Sequence, residues 1–219
     1  MLLPDLEEAL RYLGAENAPE DLRRQTMEAG ADLAAAVQPR YTYRAFSLSF
    51  ETEGIRLREA DLLLPGRDAA LMLAQCSRAV LLACTLGTQF DRRLLALQAR
   101  NMAKAALTDA CGSALVEQGC GQAEREIAAR FPEAYLTDRF SPGYGDLPLS
   151  LQPEISRALD LERRLGIHVS ENFWMNPVKS VTAVIGLSDR PQMARIRGCG
   201  HCALRETCTL RKGGHSCAK

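Results

Sequence analysis

Six consecutive residues combine a cation, a stiff turn and an aromatic ring: the segment RFSPGY, residues 139–144. Arg139 offers a planar fork of hydrogen-bond donors that suits a carboxylate. Pro142 fixes one backbone angle, whereas Gly143 permits turns that other residues resist. Tyr144 adds a flat face and a hydroxyl group. This segment could hold a small zwitterion that carries an amino-acid end and a ring system. An ordinary Pro-Gly turn after a strand is the alternative.

The bulk composition excludes several classes of function. Among 219 residues, Lys+Arg and Asp+Glu both number 27, so the formal net charge is zero, and the 47% of hydrophobic residues can supply a sizeable core. A basic excess or stripe would be expected of a nucleic-acid-binding protein. We therefore expect no nucleic-acid partner. No apolar run reaches the roughly 18 residues of a membrane helix, and the acidic N-terminus lacks a signal-peptide start. The chain is predicted to be cytoplasmic, without a membrane partner.

Three common motifs of nucleotide binding and nucleophilic catalysis are missing, and histidine is scarce. The sequence contains no G-x-G-x-x-G, no G-x-x-x-x-G-K-[ST] and no G-x-S-x-G. Its only histidines are His168, His201 and His215. Catalysis by a Ser-His or Cys-His pair is thus poorly supplied. This scarcity favours a protein that binds and positions a reactive group over one that provides its own acid and base.

Eight cysteines fall into two groups. Four lie in apolar or Ala-rich segments and are predicted to be small buried hydrophobic residues: Cys76, Cys84, Cys111 and Cys120. The other four follow the spacing C-x2-C-x5-C-x8-C near the C-terminus: Cys199, Cys202, Cys208 and Cys217. Their density predicts a metal site, either zinc or an iron–sulfur cluster, in which His201 or His215 could replace one thiolate. The spacing matches no standard zinc finger or ferredoxin pattern, so a tail of free or oxidisable thiols remains the alternative.

Helical and strand-like segments alternate irregularly, which indicates an α+β fold rather than a βαβ series. We predict a twisted, mainly antiparallel sheet flanked by helices. Residues 1–190 would form one domain, and residues 191–219 a cysteine-rich tail. Hydrophobic periodicity predicts helices at 5–13, 19–37, 68–75, from 88 onward, at 101–130 and at 153–165. It predicts strands at 40–51, 79–85, 135–140, 167–169 and 181–187, and a short strand or extended piece at 57–64.

Two segments together resemble the activation (S-adenosylmethionine-binding) domain of cobalamin-dependent methionine synthase. Residues 139–144 with Pro148 are similar to the family's R-x-x-P-G-Y-x-x-x-P loop. Residues 161–182 resemble its L-x-x-x-x-x-x-G-x-x-L-T-E-S-x-A-M-x-P-x-x-S-V-S stretch. Order and spacing agree over about 45 residues, which is more specific than either motif alone.

The resemblance implies roles for four residues of the loop. Arg139 would bind the methionyl carboxylate of S-adenosylmethionine, and Ser141 would contribute backbone contacts. Gly143 belongs to the same binding loop, and Tyr144 would flank the sulfonium or shape the pocket. Two departures stand out. Ser113 occupies a position where the family has an acidic residue, with Glu117 one turn away. In addition, Asp146 either supplies a missing negative charge or is a solvated loop residue.

The resemblance also implies a function. A chain of this kind would reactivate cobalamin-dependent methionine synthase, or a related corrinoid protein, in trans. A reductase would donate an electron to cob(II)alamin on that partner, and S-adenosylmethionine would supply the methyl group. The chain is then an accessory to a methyltransferase. Two alternatives stay open: a redox protein that acts through the cysteine cluster, and a docking module for a corrinoid protein without small-molecule binding.

Overall fold

The computed structural model describes residues 1–191 and Thr207, and the chain divides into two compact units. The first unit contains Met1–Thr42, Ala83–Glu126 and Asp160–Val181. The second contains Tyr43–Leu82, Ile127–Leu159 and the described residues from Thr182 onward. The four C-terminal cysteines lie outside the described residues, and the division into a 1–190 domain and a 191–219 tail stays a prediction.

The described residues form seven helices and eight strands. The helices are α1 (Leu6–Tyr12), α2 (Glu20–Ala36), α3 (Arg67–Leu73), α4 (Thr88–Gln98), α5 (Met102–Arg130), α6 (Gln152–Leu159) and α7 (Leu161–Leu165). The strands are β1 (Arg40–Glu51), β2 (Gly54–Leu57), β3 (Leu62–Leu64), β4 (Cys76–Thr85), β5 (Tyr135–Leu136), β6 (His168–Val169), β7 (Met175–Asn176) and β8 (Ser180–Ser188).

Six of these strands form one sheet in the order β3-β2-β1-β4-β8-β5, and β6 and β7 form a separate pair. Strand β2 pairs antiparallel with both β1 and β3, and β5 pairs antiparallel with β8. Residues 79–85 of β4 are all fully buried, as their continuous apolar run predicts. The α+β prediction with a mainly antiparallel sheet is confirmed.

In the first unit, close helix packing depends on glycines of α5. A methyl group at Gly112 would lie 2.4 Å from the buried Phe90 ring, and one at Gly119 would lie 2.4 Å from Pro39 Cβ and 2.8 Å from Cys84 Sγ. The absence of side chains at these two positions therefore allows α5 to approach its neighbours.

Burial raises the pKa of the nearby Cys111 thiol to about 11. The prediction that Cys76, Cys84, Cys111 and Cys120 are buried is confirmed.

The second unit contains most of a β1–β2–β3 meander, in which four apolar side chains of β2 and β3 are buried. Ile55, Leu57, Leu62 and Leu64 are each at most 2% exposed. The buried hydroxyl of Thr182 donates to Gln152 Oε1 over 2.8 Å, so the polar group at the start of α6 has a partner. Such pairing removes most of the free-energy cost of burying both groups.

Two expectations about the elements differ from the structure in detail, and one short strand was not predicted. The segment 57–64 is not one strand, because β2 ends at Leu57 and a 3₁₀ turn, Arg58–Ala60, separates it from β3. The predicted helix 153–165 is interrupted at Asp160, whose φ of +53° lies in the left-handed region. The short strand β7 is missing from the prediction, since two residues give no period-2 pattern to detect.

Within the part of the chain that the structure describes, none of the helices has the length and apolar character needed to cross a membrane.

The glycine packing gives a matched pair of substitutions within α5. We expect Gly119→Ala to lower the free energy of unfolding by about 1–3 kcal/mol, because the added methyl would overlap Pro39 and Cys84. Gly121→Ala is the control, because its methyl would meet only Arg125 Nη1 at 3.7 Å. That variant should raise the stability by about 0.5–1 kcal/mol through helix propensity. Urea unfolding followed by circular dichroism measures both, and equal effects would contradict the packing argument.

Candidate functional site

The loop that carries Arg139 leaves the sheet at a fixed point in the second unit. Phe140 N–H donates to the Val184 carbonyl over 2.9 Å, and Val184 N–H donates back over 2.8 Å. The Phe140 side chain is only 3% exposed, so it anchors the start of the loop in the core. The predicted strand 135–140 is thus present as β5 followed by this isolated bridge. Residues 139–148 are called the arginine loop below.

The arginine loop consists of two hydrogen-bonded turns. In the first, Tyr144 N–H donates to the Ser141 carbonyl over 3.1 Å, and Gly143 has a φ of +90°. Pro142 at the second position and a positive φ at the third are the features of a type II turn. In the next turn, Leu147 N–H donates to the Tyr144 carbonyl over 3.1 Å. Gly143 N–H closes the loop by donating to the Leu147 carbonyl over 2.8 Å.

Some side chains of the arginine loop are buried and anchor it, whereas others are partly accessible to solvent. Pro142 and Leu147 are buried, Arg139 is half-buried, and Tyr144 is 48% exposed. The backbone of Ser141 and Tyr144 is already used within the turn. Tyr144 therefore lies at the end of a hydrogen-bonded turn with part of its ring accessible. The four residues predicted to bind S-adenosylmethionine do lie on one ordered loop, and their role in binding stays a prediction.

Asp146 holds the arginine loop against the start of α3. Its Oδ2 accepts from Arg67 N–H over 2.6 Å, and its Oδ1 accepts from Asp68 N–H over 3.1 Å. A methyl group at Gly66 would lie 2.5 Å from Asp146 Oδ1, so this approach requires glycine at position 66. Asp146 is an exposed loop residue, as one of the two alternatives has it, and its carboxylate also accepts hydrogen bonds from a helix start 79 residues away.

Two cavities lie in the second unit, and the Arg139 and Tyr144 side chains line neither of them. One has a volume of about 500 Å³ and is lined by Phe50, Gln75, Cys76, Ser77, Asp189 and Arg190. The other, of about 230 Å³, lies between the β1–β2 hairpin and the first turn of α3. In the described chain, no group of three or more His, Cys, Asp or Glu residues is arranged to hold a metal ion.

Residues 170–181, which are part of the second family-like segment 161–182, lie in the first unit and are called the lysine segment. It begins with a tight turn in which Phe173 N–H donates to the Ser170 carbonyl over 2.9 Å. The Ser170 hydroxyl accepts from Trp174 N–H over 3.1 Å. These bonds hold Phe173 at a φ of +64°, a conformation that is strained for a bulky residue. The turn leaves Trp174 72% exposed.

Lys179 is the central cation of the lysine segment. Its Nζ lies 3.0 Å from Asp109 Oδ1 and donates to the Ser113 hydroxyl over 2.8 Å. Nζ also lies 5.8 Å from the centroid of the Phe90 ring, and the side chain is only 16% exposed. At the position where the family has an acidic residue, Ser113 therefore accepts from a lysine. Asp109, one turn earlier on α5, is the carboxylate that pairs with Lys179.

The lysine segment is also fixed to the junction between β4 and α4. Asp91 Oδ2 accepts from Val178 N–H over 3.2 Å, whereas Asp91 Oδ1 is buried without a hydrogen-bond partner. Burial raises the pKa of Asp91, and the Val178 N–H and the Lys179 charge oppose that rise. The Thr85 and Ser180 hydroxyls share a hydrogen bond of 2.8 Å, which ties the end of the segment to β4.

Three residues of these networks were not identified as site residues from the sequence: Asp109, Asp146 as a cap, and Lys179. The i, i+4 spacing of Asp109 and Ser113 places them on one helix face, which is a local signal that could have been used. Asp146 accepts from Arg67, which is 79 residues away, and the partners of Lys179 on α5 are 66 or more residues away. No local pattern therefore indicates these contacts. The arginine loop belongs to the second unit and the lysine segment to the first.

Comparison with known proteins identifies the fold. No family model matches the sequence, and no curated protein matches it. Among solved structures, the crystal structure of the MetH reactivation domain bound to AdoHcy matches with a TM-score of 0.61 and 16% sequence identity. The match covers 95% of this chain and 73% of that chain. The chain described here has the fold of the MetH reactivation domain.

Proposed function

We propose that this chain binds S-adenosylmethionine at the arginine loop and supports the reductive reactivation of a corrinoid methyltransferase. The observation that carries the proposal is the fold match with a reactivation domain bound to AdoHcy. The segment RFSPGY, which resembles that family's ligand loop, contains the first of two hydrogen-bonded turns and supports the same assignment. AdoHcy is the compound that remains when S-adenosylmethionine has given up its methyl group, so one loop would accommodate both.

The residues of the loop suit such a ligand. Arg139 can pair with the methionyl carboxylate through its planar donors. Gly143 is exposed and carries no side chain, so a ligand can approach the backbone there. The half-exposed Tyr144 ring can face the sulfonium, an interaction worth roughly 0.5–2 kcal/mol. Ser141 would contribute its carbonyl, whose second lone pair remains available beside the turn hydrogen bond.

The contribution of this chain would be orientation and electrostatics rather than acid–base chemistry. Bound S-adenosylmethionine supplies an electrophilic methyl group. The anchored turns would fix the methionine end, so that the sulfonium keeps a defined direction. Positioning of this kind can contribute up to roughly 7–11 kcal/mol to a transfer reaction. It needs no histidine base, which is consistent with only three histidines in the sequence.

The partners follow from this chemistry. Reductive reactivation needs a reduced corrinoid that accepts the methyl group from the sulfonium. We propose that cobalamin is held by a methionine synthase or a related corrinoid protein that this chain serves in trans. An electron-donor reductase would reduce the cobalt before the transfer.

Replacement of Arg139 tests ligand binding. We expect Arg139→Ala to weaken AdoHcy binding about tenfold or more in isothermal titration calorimetry, because a charge-assisted bond to the carboxylate is lost. Arg56→Ala is the matched control in the second unit, since Arg56 pairs with Glu51 and Asp61 on the surface. Arg56→Ala should leave the affinity unchanged. Equal affinity of the Arg139→Ala variant and the unsubstituted chain would contradict the proposed site.

A reconstituted system tests the reactivation itself. We expect this chain, with S-adenosylmethionine and a reductant, to convert cob(II)alamin to methylcobalamin on a methionine synthase that lacks its own activation module. The absorbance spectrum reports the conversion, and Arg139→Ala should slow it. Binding of S-adenosylmethionine without any methylcobalamin would contradict a role in reactivation. Complex formation with the corrinoid protein without ligand binding would instead support a docking module.

A second candidate function rests on the C-terminal cysteines, whose dense spacing favours a metal centre. We propose that Cys199, Cys202, Cys208 and Cys217 hold zinc or an iron–sulfur cluster. An iron–sulfur cluster there could pass an electron to the cobalt, so this function is compatible with the first.

Metal analysis and the ultraviolet–visible spectrum of anaerobically purified protein test this second function. We expect bound metal that is lost in Cys199→Ser and Cys202→Ser, because each variant removes one thiolate ligand. Cys120→Ala is the control, since Cys120 is a buried cysteine of α5, and its metal content should be unchanged. A colourless protein without metal would rule out the centre.

A further inference from the structure

The carboxylate of Asp146 makes a reciprocal contact between two turns that are distant in sequence. One turn contains Gly145 and Asp146 of the arginine loop, and the other contains Gly66 and the first residues of α3. Asp146 accepts two α3 backbone N–H groups, at 2.6 and 3.1 Å. On the other side, a methyl group at Gly145 would lie 2.2 Å from Asp68 Oδ2. Each turn thus has a glycine where the other turn's carboxylate approaches.

This contact acts on the part of the loop that is conformationally permissive. Gly143 and Gly145 both have positive φ, at +90° and +54°. Glycine leaves more backbone freedom than any other residue, so two glycines on either side of Tyr144 would let its backbone move. Phe140 fixes the loop at its entry through the sheet, and Leu147 fixes its exit by burial. Between these points, the Asp146 carboxylate accepts hydrogen bonds from backbone groups outside the loop.

We infer that Asp146 is a positioning residue: by accepting the Arg67 and Asp68 N–H groups it holds the arginine loop in its ligand-binding conformation. It does not touch the ligand. The inference rests on the proposed binding of S-adenosylmethionine and names a residue at which this chain departs from the family's loop pattern. Loss of the two bonds would release Gly145, and the ligand would then have to order the loop on binding.

Two substitutions at position 146 separate the hydrogen bonds from the charge. Asp146→Ala removes both acceptors. Asp146→Asn can keep a carbonyl oxygen in the place of Oδ2, which accepts from Arg67 N–H over 2.6 Å and from Asp68 N–H over 3.3 Å. We expect Asp146→Ala to weaken AdoHcy binding about tenfold and Asp146→Asn to stay within about threefold of the unsubstituted chain. In the Ala variant, the amides of Arg67 and Asp68 should also lose protection against hydrogen exchange.

A second aspartate cap supplies the control for stability. Asp5 Oδ1 accepts from Glu8 N–H over 2.9 Å at the start of α1, in the first unit. Asp5→Ala should lower the melting temperature about as much as Asp146→Ala, because both remove a helix cap. It should leave AdoHcy affinity unchanged. If Asp146→Ala does not fold, the comparison of Asp146→Asn with the unsubstituted chain carries the test.

The outcomes are distinguishable. Normal binding of AdoHcy by Asp146→Ala would overturn the positioning role and leave the proposed function intact. An equal loss in the Asn and Ala variants would overturn it too, because charge rather than hydrogen bonding would then matter. No binding by the unsubstituted chain would overturn the proposed function and the positioning role together.

Discussion

The backbone pairing between Phe140 and Val184 is the constraint on which the candidate site depends. Two hydrogen bonds, of 2.9 and 2.8 Å, fix where the chain leaves the sheet, and the buried Phe140 ring prevents this point from shifting. A shift of one residue would turn Phe140 outward and Arg139 inward, because strand side chains alternate between faces. The position of the arginine is therefore set by an apolar neighbour that carries no chemistry itself.

Local patterns in the sequence were sufficient to predict the features that depend on neighbouring residues. Strand β1 has the predicted bounds, Arg40–Glu51, because its aromatic and β-branched residues suit a pleated surface. The Pro142-Gly143 pair predicts a turn, and the turn is present with Gly143 at a φ of +90°. The resemblance across residues 139–182 indicated the fold that the comparison then showed, although only 16% of residues are identical.

Features that depend on distant residues could not be predicted. The break between α6 and α7 lies at Asp160, where nothing but a left-handed φ of +53° interrupts a helical pattern. The Asp146 carboxylate pairs with an N-terminus 79 residues earlier, and Gly66 is needed only because that carboxylate approaches it. Neither Asp160 nor Asp146 is marked by a sequence pattern that predicts its role. Their roles come from tertiary packing, which a single sequence does not display.

Lys179 shows how a largely buried charge is balanced within the first unit. Its Nζ lies 3.0 Å from Asp109 Oδ1 and donates to the Ser113 hydroxyl, and only 16% of its side chain is exposed. The Asp109 side chain is 48% exposed, so the pair is buried mainly on the lysine side. Removing Asp109 alone would leave the lysine charge poorly solvated, which is unfavourable. The lysine segment is therefore held on α5 by a charge pair with one member on each.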